Sequence, residues 1–417
     1  MPLVKFLFKN KEPLFFGWWV VLGSYVIQVL NGALLFHAFS AYILPLQAEF
    51  GWSRAAVSGV FSLIRAESGI LGPLQGWAID RYGPRAMMRA GIALFAAGYV
   101  YFSRVDSLWS FYAAFALIAL GSSLGGFIPI ATTITNWFAR RRATALGLSM
   151  TGMGVGGLLI PLVVWSLTQY GWRDTAFFSG LAILVLGLPA TQLMRHRPEG
   201  YGLRPDGDAT DSDTATDDLG DEPHFTARQA LRTPAFWLLS IGHSSALLVV
   251  GTVLVHQIPH MVERVGLSQE AAATNVTLLL VFVIGGQLCG GWIGDRIDKR
   301  LIMVLCMWMH AVALILFAHA DSRFDSTVFA IVHGTAWGVR GTLINAIRAD
   351  YFGRASYATI SGFASLIIMT GMTVGPLFAG FLHDLTGTYR QAFMILAGLS
   401  ALGSIALMLA RKPARSQ

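Results

Sequence analysis

Gly76–Arg85 reads GWAIDRYGPR and Gly291–Arg300 reads GWIGDRIDKR. The two stretches share Gly, Trp, Asp, Arg and the closing Arg, 215 residues apart in a chain of 417. Each ends one long apolar segment and opens another, so each reads as a charged turn between two membrane helices. A repeat spaced at half the chain makes the protein two related membrane halves.

Composition agrees. The chain is 54% hydrophobic and only 13% charged, with a mean hydropathy of +0.58, which is more apolar surface than a soluble core encloses. Runs of about 20 apolar residues, the length that crosses about 30 Å of hydrocarbon, recur twelve times. Their centres lie near Tyr25, Leu63, Phe95, Leu120, Gly157, Leu184, Leu247, Leu280, Val312, Trp337, Thr370 and Gly398. The expected architecture is an all-α integral membrane protein of twelve transmembrane helices in two pseudo-symmetric six-helix bundles. Residues 1–194 form the first bundle, 195–233 a cytoplasmic acidic linker and 234–417 the second bundle.

With the Lys5, Lys9 and Lys11 end placed in the cytoplasm, inside segments collect 22 Lys and Arg. Outside loops hold six, at Arg54, Arg104, Arg173, Arg264, Arg323 and Arg390. That asymmetry places both termini in the cytoplasm of a multi-pass plasma-membrane protein, with the bacterial inner membrane expected. The first span is expected to serve as its own insertion signal, since no cleavage pattern precedes it. The pI near 9.6 follows from this topology, because the basic residues are spread over short loops and build no nucleic-acid face. Cys289 and Cys306 fall on adjacent spans and imply neither a disulfide framework nor a metal site. No nucleophile and base pair, metal motif or cofactor fingerprint is present, so neither an enzyme nor a cofactor protein is expected. Between Asp206 and Glu222, eight of the 23 acidic residues sit among Gly, Thr, Ala, Ser and Pro, the composition of a flexible tether.

Aligning the halves extends the repeat. Gly51-Trp52-Ser53 returns as Gly266-Leu267-Ser268, Trp137-Phe138-Ala139-Arg140 as Tyr351-Phe352-Gly353-Arg354, and Met150-Thr151-Gly152-Met153 as Met369-Thr370-Gly371-Met372. On these residues the chain resembles the major facilitator superfamily over essentially its whole length. GWAIDRYGPR resembles that superfamily's signature loop between helices 2 and 3. Trp137-Phe138, Arg140-Arg141-Arg142, Ala145-Leu146-Gly147 and the run Arg197-Pro198-Glu199-Gly200-Tyr201-Gly202 resemble the oxalate/formate antiporter and monocarboxylate porter branches.

The resemblance implies that helix 2 meets helix 11 and helix 8 meets helix 5. Asp80 would cap a helix N-terminus and pair with Arg85, with Arg81 in the same loop, and Asp295, Arg296 and Arg300 would do the same between helices 8 and 5, as gates that break when the cytoplasmic side opens. Gly69, Gly72 and Gly76 form a small-residue stripe that admits a close neighbour. Plain turns that supply inside positive charge explain the same loops.

Ionisable residues within spans are costly and mark function or a partner. Arg65, Glu67 and Arg340 are such residues, and their repeat counterparts Leu280, Phe282 and about Gly126 carry no charge. His333, Trp337, Arg340 and Ile344 follow helical spacing and share a face. A guanidinium binds a carboxylate in two parallel hydrogen bonds and Trp337 covers an organic body. Arg340, Arg65, Trp337 and His333 are therefore the candidate substrate residues, and a structural Arg held by carbonyls or an acid is the competing reading. Glu67, His37 and His256 are the proton-coupling candidates, against roles in packing; His243 and His310 read as packing residues. The resemblance is incomplete: characterised monocarboxylate porters carry an Asp and Arg pair on helix 8, and oxalate/formate exchangers an Arg there and a Lys on helix 11. This chain has no charge between Ala271 and Asp295 or between Arg354 and Asp384.

The expected function is secondary active transport of a small organic anion, a monocarboxylate in the first instance, by alternating access with proton coupling, in a bilayer, by a functional monomer that binds no nucleic acid. Anion exchange, efflux of an amphipathic metabolite or drug, and a non-transporting membrane sensor are the alternatives.

Overall fold

The computed structural model describes residues 14–207 and 223–414. Lys5, Lys9 and Lys11 and most of the acidic run lie outside the described residues. So does the side chain of Arg65, which belongs to a described helix. Helix dominates because a segment in hydrocarbon must satisfy its own N–H and C=O groups.

Among the described residues twelve helical rods alternate in direction. They are α1 (Gly17–Phe50), α2 (54–82), α3 (Pro84–Phe102), α4 (Leu108–Trp137), α5 (142–170) and α6 (172–193), then α7 (Pro234–Glu263), α8 (Gln269–Gly294), α9 (Lys299–Ala318), α10 (Arg323–Phe352), α11 (Tyr357–Thr386) and α12 (Arg390–Leu409). α5 and α6 are separated only by Gly171, whose φ of +78° suits a residue without a side chain. Leu162, Leu301, Leu377, Phe381 and Met408 are each more than half exposed on the outer surface, as a lipid-facing surface requires.

Turn chemistry recurs between halves. Ser53 caps α2 by accepting from Ala56 N, and Ser268 caps α8 by accepting from Ala271 N. Ser107 and Ser322 open α4 and α10 with reciprocal capping boxes. Within each half α1 packs on α5, and its repeat partner α7 on α11.

Between halves, α2 packs on α11 and α5 on α8, the pairs the resemblance implied. Glycine makes these contacts possible: a Cβ at Gly76 would strike the Ala358 carbonyl, one at Gly362 the Gly72 carbonyl, and one at Gly147 the Gln287 carbonyl. All three lie toward the side on which residues 14 and 414 sit, the terminal side. That side is closed.

Candidate functional site: a central cavity, two helix-capping gates and a buried cluster

A cavity of about 290 Å³ lies at mid-height between the halves. α1 contributes Gln28 and Asn31, α2 Ser68, α4 Ser122 and Ser123, and α11 Ser365, with Phe36, Phe127, Met153 and Met369 as apolar walls. Its polarity is neutral. Helix irregularities border it: α1 turns π-helical over Asn31–Phe36, and α4 breaks at Gly126. Such breaks near the middle of a span free backbone groups where they can line a cavity.

Glu67 stands just behind this wall. Its carboxylate accepts from Gln75 Nε2 at 2.6 Å and Ser68 Oγ at 3.3 Å, and Ser123 Oγ donates to Gln75 Oε1 at 2.7 Å. One hydrogen-bond chain thus joins Glu67 to two cavity serines.

Beneath the cavity stand two interhelical caps, at the residues that the resemblance implied as gates. Asp80 accepts from Ala358 N at 3.3 Å, Thr359 N at 2.8 Å and Thr359 Oγ1 at 2.6 Å, at the first turn of α11. Asp295 accepts from Ala143 N at 2.8 Å and Thr144 N at 3.0 Å, at the first turn of α5. Each carboxylate meets the positive end of a helix in the opposite half. The arginines do otherwise than the sequence implied. Arg85 donates to Gln192 Oε1 of α6 at 2.8 Å, Arg296 donates to Trp292 O and lies over the Trp292 ring, Arg300 sits beside Asp298, and Arg81 is exposed. The Asp80–Arg85 pair is not formed: Arg85 lies on α3 beyond the Gly83 turn, and Gln192 on α6 takes its guanidinium.

Sequence reading missed a third closure. Arg142 of α5, almost fully buried, reaches Asp350 of α10 at 2.6 Å, and Lys299 takes the other oxygen at 2.8 Å. The described parts of the linker join the same side. Asp206 accepts from the N–H groups of Ala139, Arg140 and Arg141, Arg354 pairs with Glu199 at 3.1 Å, and Phe225 N donates to Phe352 O. His196 is tucked there too, and burial together with Arg197 holds its imidazole below the ordinary range.

The second half holds its charge away from the cavity lining. Arg340 on α10 is 1% exposed, and its Nε, Nη1 and Nη2 have no protein acceptor. Around it lie Cys306 and His310 of α9, His333 of α10 and His243 of α7. His310 and His333 are fully buried, with their Nδ1 atoms 3.1 Å apart. Trp337 is half-buried with its ring 6.5 Å from His333, so the structure gathers His333, Trp337 and Arg340 as the spacing implied. Arg65 has no described side chain to place beside them. Arg348 is a buried helix residue because α10 runs on to Phe352; it donates to Asn345 Oδ1 and Ser361 Oγ. His37 and His256 sit at matching positions, His37 against Gly157 and His256 against Gly380, with His256 Nε2 2.9 Å from Pro376 O. Among the described residues no group of three or more His, Cys, Asp or Glu is arranged to hold a metal ion.

The profile described as Major Facilitator Superfamily matches residues 24–364 and 251–417. The chain belongs to that superfamily. It is a multi-pass membrane transporter and not an enzyme. Among curated relatives of this facilitator, monocarboxylate transporter 13 of Rattus norvegicus is 25% identical over 395 residues, covering 93% of this chain and 87% of the relative. The oxalate:formate antiporter of Oxalobacter formigenes is 26% identical over 391 residues, with 91% and 87% covered. Among solved structures, the superfamily transporter FucP in its outward conformation aligns with a TM-score of 0.75 at 14% identity, covering 95% of this chain and 99% of that one, a likeness of fold.

Proposed function

We propose that this facilitator carries a small monocarboxylate together with a proton across the plasma membrane, acting as a monomer with both termini in the cytoplasm. The observation that carries the reading is Arg340. A guanidinium buried in a span with no protein acceptor at any of its three nitrogens is costly, and a carboxylate is the partner whose two oxygens match its fork. The cavity's small volume favours a cargo of a few carbon atoms. Relatives named for monocarboxylates and for oxalate and formate are consistent with that chemical class.

Arg340 is not part of the cavity lining, and the α5–α10 seam stands between the two. Gly341 lies against Met150 of α5, and Met153, one turn further along α5, lines the cavity. Rocking of the halves opens this seam and brings the anion from the cavity to the guanidinium, with Trp337 and His333 shaping its surroundings and Arg65 steering it. On the terminal side, Asp80 and Asp295 release α11 and α5 as the carrier turns over.

Uptake of radiolabelled acetate, L-lactate and pyruvate into proteoliposomes tests this. Arg340→Gln should cut uptake about 10- to 100-fold, the worth of a lost charged hydrogen bond. Normal uptake by the variant of every acid that the parent carries would sink the reading. Anion exchange, the activity named for the oxalate:formate relative, is distinguished by its dependence on internal anion in place of an inward proton gradient.

A further inference from the structure

We propose that His310 and His333 together hold the proton that travels with the anion, and that Arg340 links the two so that one proton is taken up for each anion bound. This rests on the reading of Arg340 as the anion's partner. It moves the coupling site from the Glu67 side of the protein to the second half.

The geometry is specific. Two imidazole Nδ1 atoms 3.1 Å apart form a hydrogen bond only when one carries a proton and the other does not. The neutral pair therefore presents one Nε2 that bears a proton and one with a free lone pair. A further proton makes both Nε2 atoms donors. Both are buried without a protein partner, and the His333 ring stacks on Phe329 at 5.2 Å.

Among the described residues no carboxylate is placed beside the pair to balance that added charge. The titratable group facing the pair is Arg340 on α10; Cys306 on α9 and His243 on α7 lie beside Arg340, and Arg348 is two turns beyond it. α8 supplies no acid or base between Ala271 and Gly294, and α12 none between Gln391 and Leu409. A protonated pair alone would be a second cation beside Arg340 in a site closed to water, and like charges there repel strongly. An anion on Arg340 removes that opposition. By linkage, the proton then favours the anion as much as the anion favours the proton.

Charge balance gives a further consequence. The empty cluster carries one positive charge, and the cluster holding an anion and a proton carries one as well. Empty and loaded carriers are therefore equally charged, and transport is electroneutral.

The test uses the purified full chain in nanodiscs. A thermal-shift panel of acetate, L-lactate, pyruvate and benzoate first finds acids that bind. For each binder, proton uptake is read with a pH indicator in weak buffer, and affinity is measured between about pH 5.5 and 7.5. The expected result is about one proton per anion, and affinity that rises up to about tenfold for each unit of falling pH, since the bound state holds the extra proton. His310→Gln should still bind the acid while both signals flatten, and His333→Gln, whose ring also borders the anion's surroundings, should lose proton uptake whatever its affinity. Binding by the parent without proton uptake, or undiminished proton uptake in both variants, overturns the inference and leaves the anion reading standing. A panel without any binder overturns the anion reading, and the inference with it. Should either variant lack a melting transition, the parent's proton count alone decides.

Discussion

The two halves share a repeat but not a construction. Around the cavity the first half is jointed: α1 changes to π-helix at Asn31–Phe36, α2 breaks at Leu71, α4 at Gly126 and α5 at Leu158. Their repeat partners α7, α8, α10 and α11 run unbroken for 26 to 30 residues. Polarity follows the same division. The jointed half supplies most of the cavity lining, amides and hydroxyls joined by Ser365 and Met369 of α11, while the unbroken half buries Arg340, Arg348, His310 and His333. A straight helix satisfies its own backbone and leaves side chains as the source of polarity; a broken one supplies backbone dipoles. Duplication gave a common scaffold, and the halves then divided a neutral chamber from a charged cluster.

The largest expected effect attacks the seam that both halves must share. Gly76→Val places atoms into the Ala358 carbonyl and should hold the terminal side open. A cysteine introduced at cavity residue Ser68 should then react with a membrane-impermeant thiol reagent from the opposite side at least about tenfold more slowly, relative to the same cysteine without Gly76→Val. Gly285→Ala, where a Cβ meets nothing within 4 Å, should leave the rate unchanged, and equal rates in all three proteins would refute closure through this glycine.

The gates allow a finer comparison. Asp80 accepts three bonds from α11, and Asp295 two from α5. Loss of a helix cap costs about 0.5–2 kcal/mol, so each Asp→Ala variant should shift the Ser68→Cys labelling equilibrium about 2- to 30-fold toward the terminal-side-open state. Asp80→Ala should shift it more. Thr359→Val should account for the difference, and an identical shift in both Asp variants would show that the Thr359 hydroxyl contributes nothing.

The smallest effect is expected where the division of labour is most exposed to doubt. Gln75→Leu unties Glu67 from Ser123 and should change uptake by less than about threefold, with its pH dependence retained. A flattening as large as that of His310→Gln would return proton coupling to the first half and break the contrast drawn above.

Much of the fold was legible in one dimension. Apolar runs, the Ser caps at 53 and 268 and the twin GWxxDR loops are local signals, and the bilayer turns each apolar run into a helix. The stripe of Gly69, Gly72 and Gly76 announced a close neighbour, and the resemblance named it as helix 11. Asp80 as a helix cap was legible from resemblance, whereas its pairing with Arg85 was not, because Gln192 on α6 competes for that guanidinium. Arg142 was hidden in a basic run that looked like inside charge, and its partner Asp350 lies 208 residues further along the chain.

Taken alone, the sequence determined that this protein is a duplicated twelve-helix carrier, and that Arg340, Trp337 and His333 share a helix face, since both follow from periods along the chain. Only the tertiary structure decided what that face meets. His310 stands 23 residues from His333, and its approach to 3.1 Å depends on how α9 and α10 are rotated and staggered against each other. Helical periodicity fixes which residues share a face but not which neighbour that face packs against; side-chain packing across the whole bundle sets that.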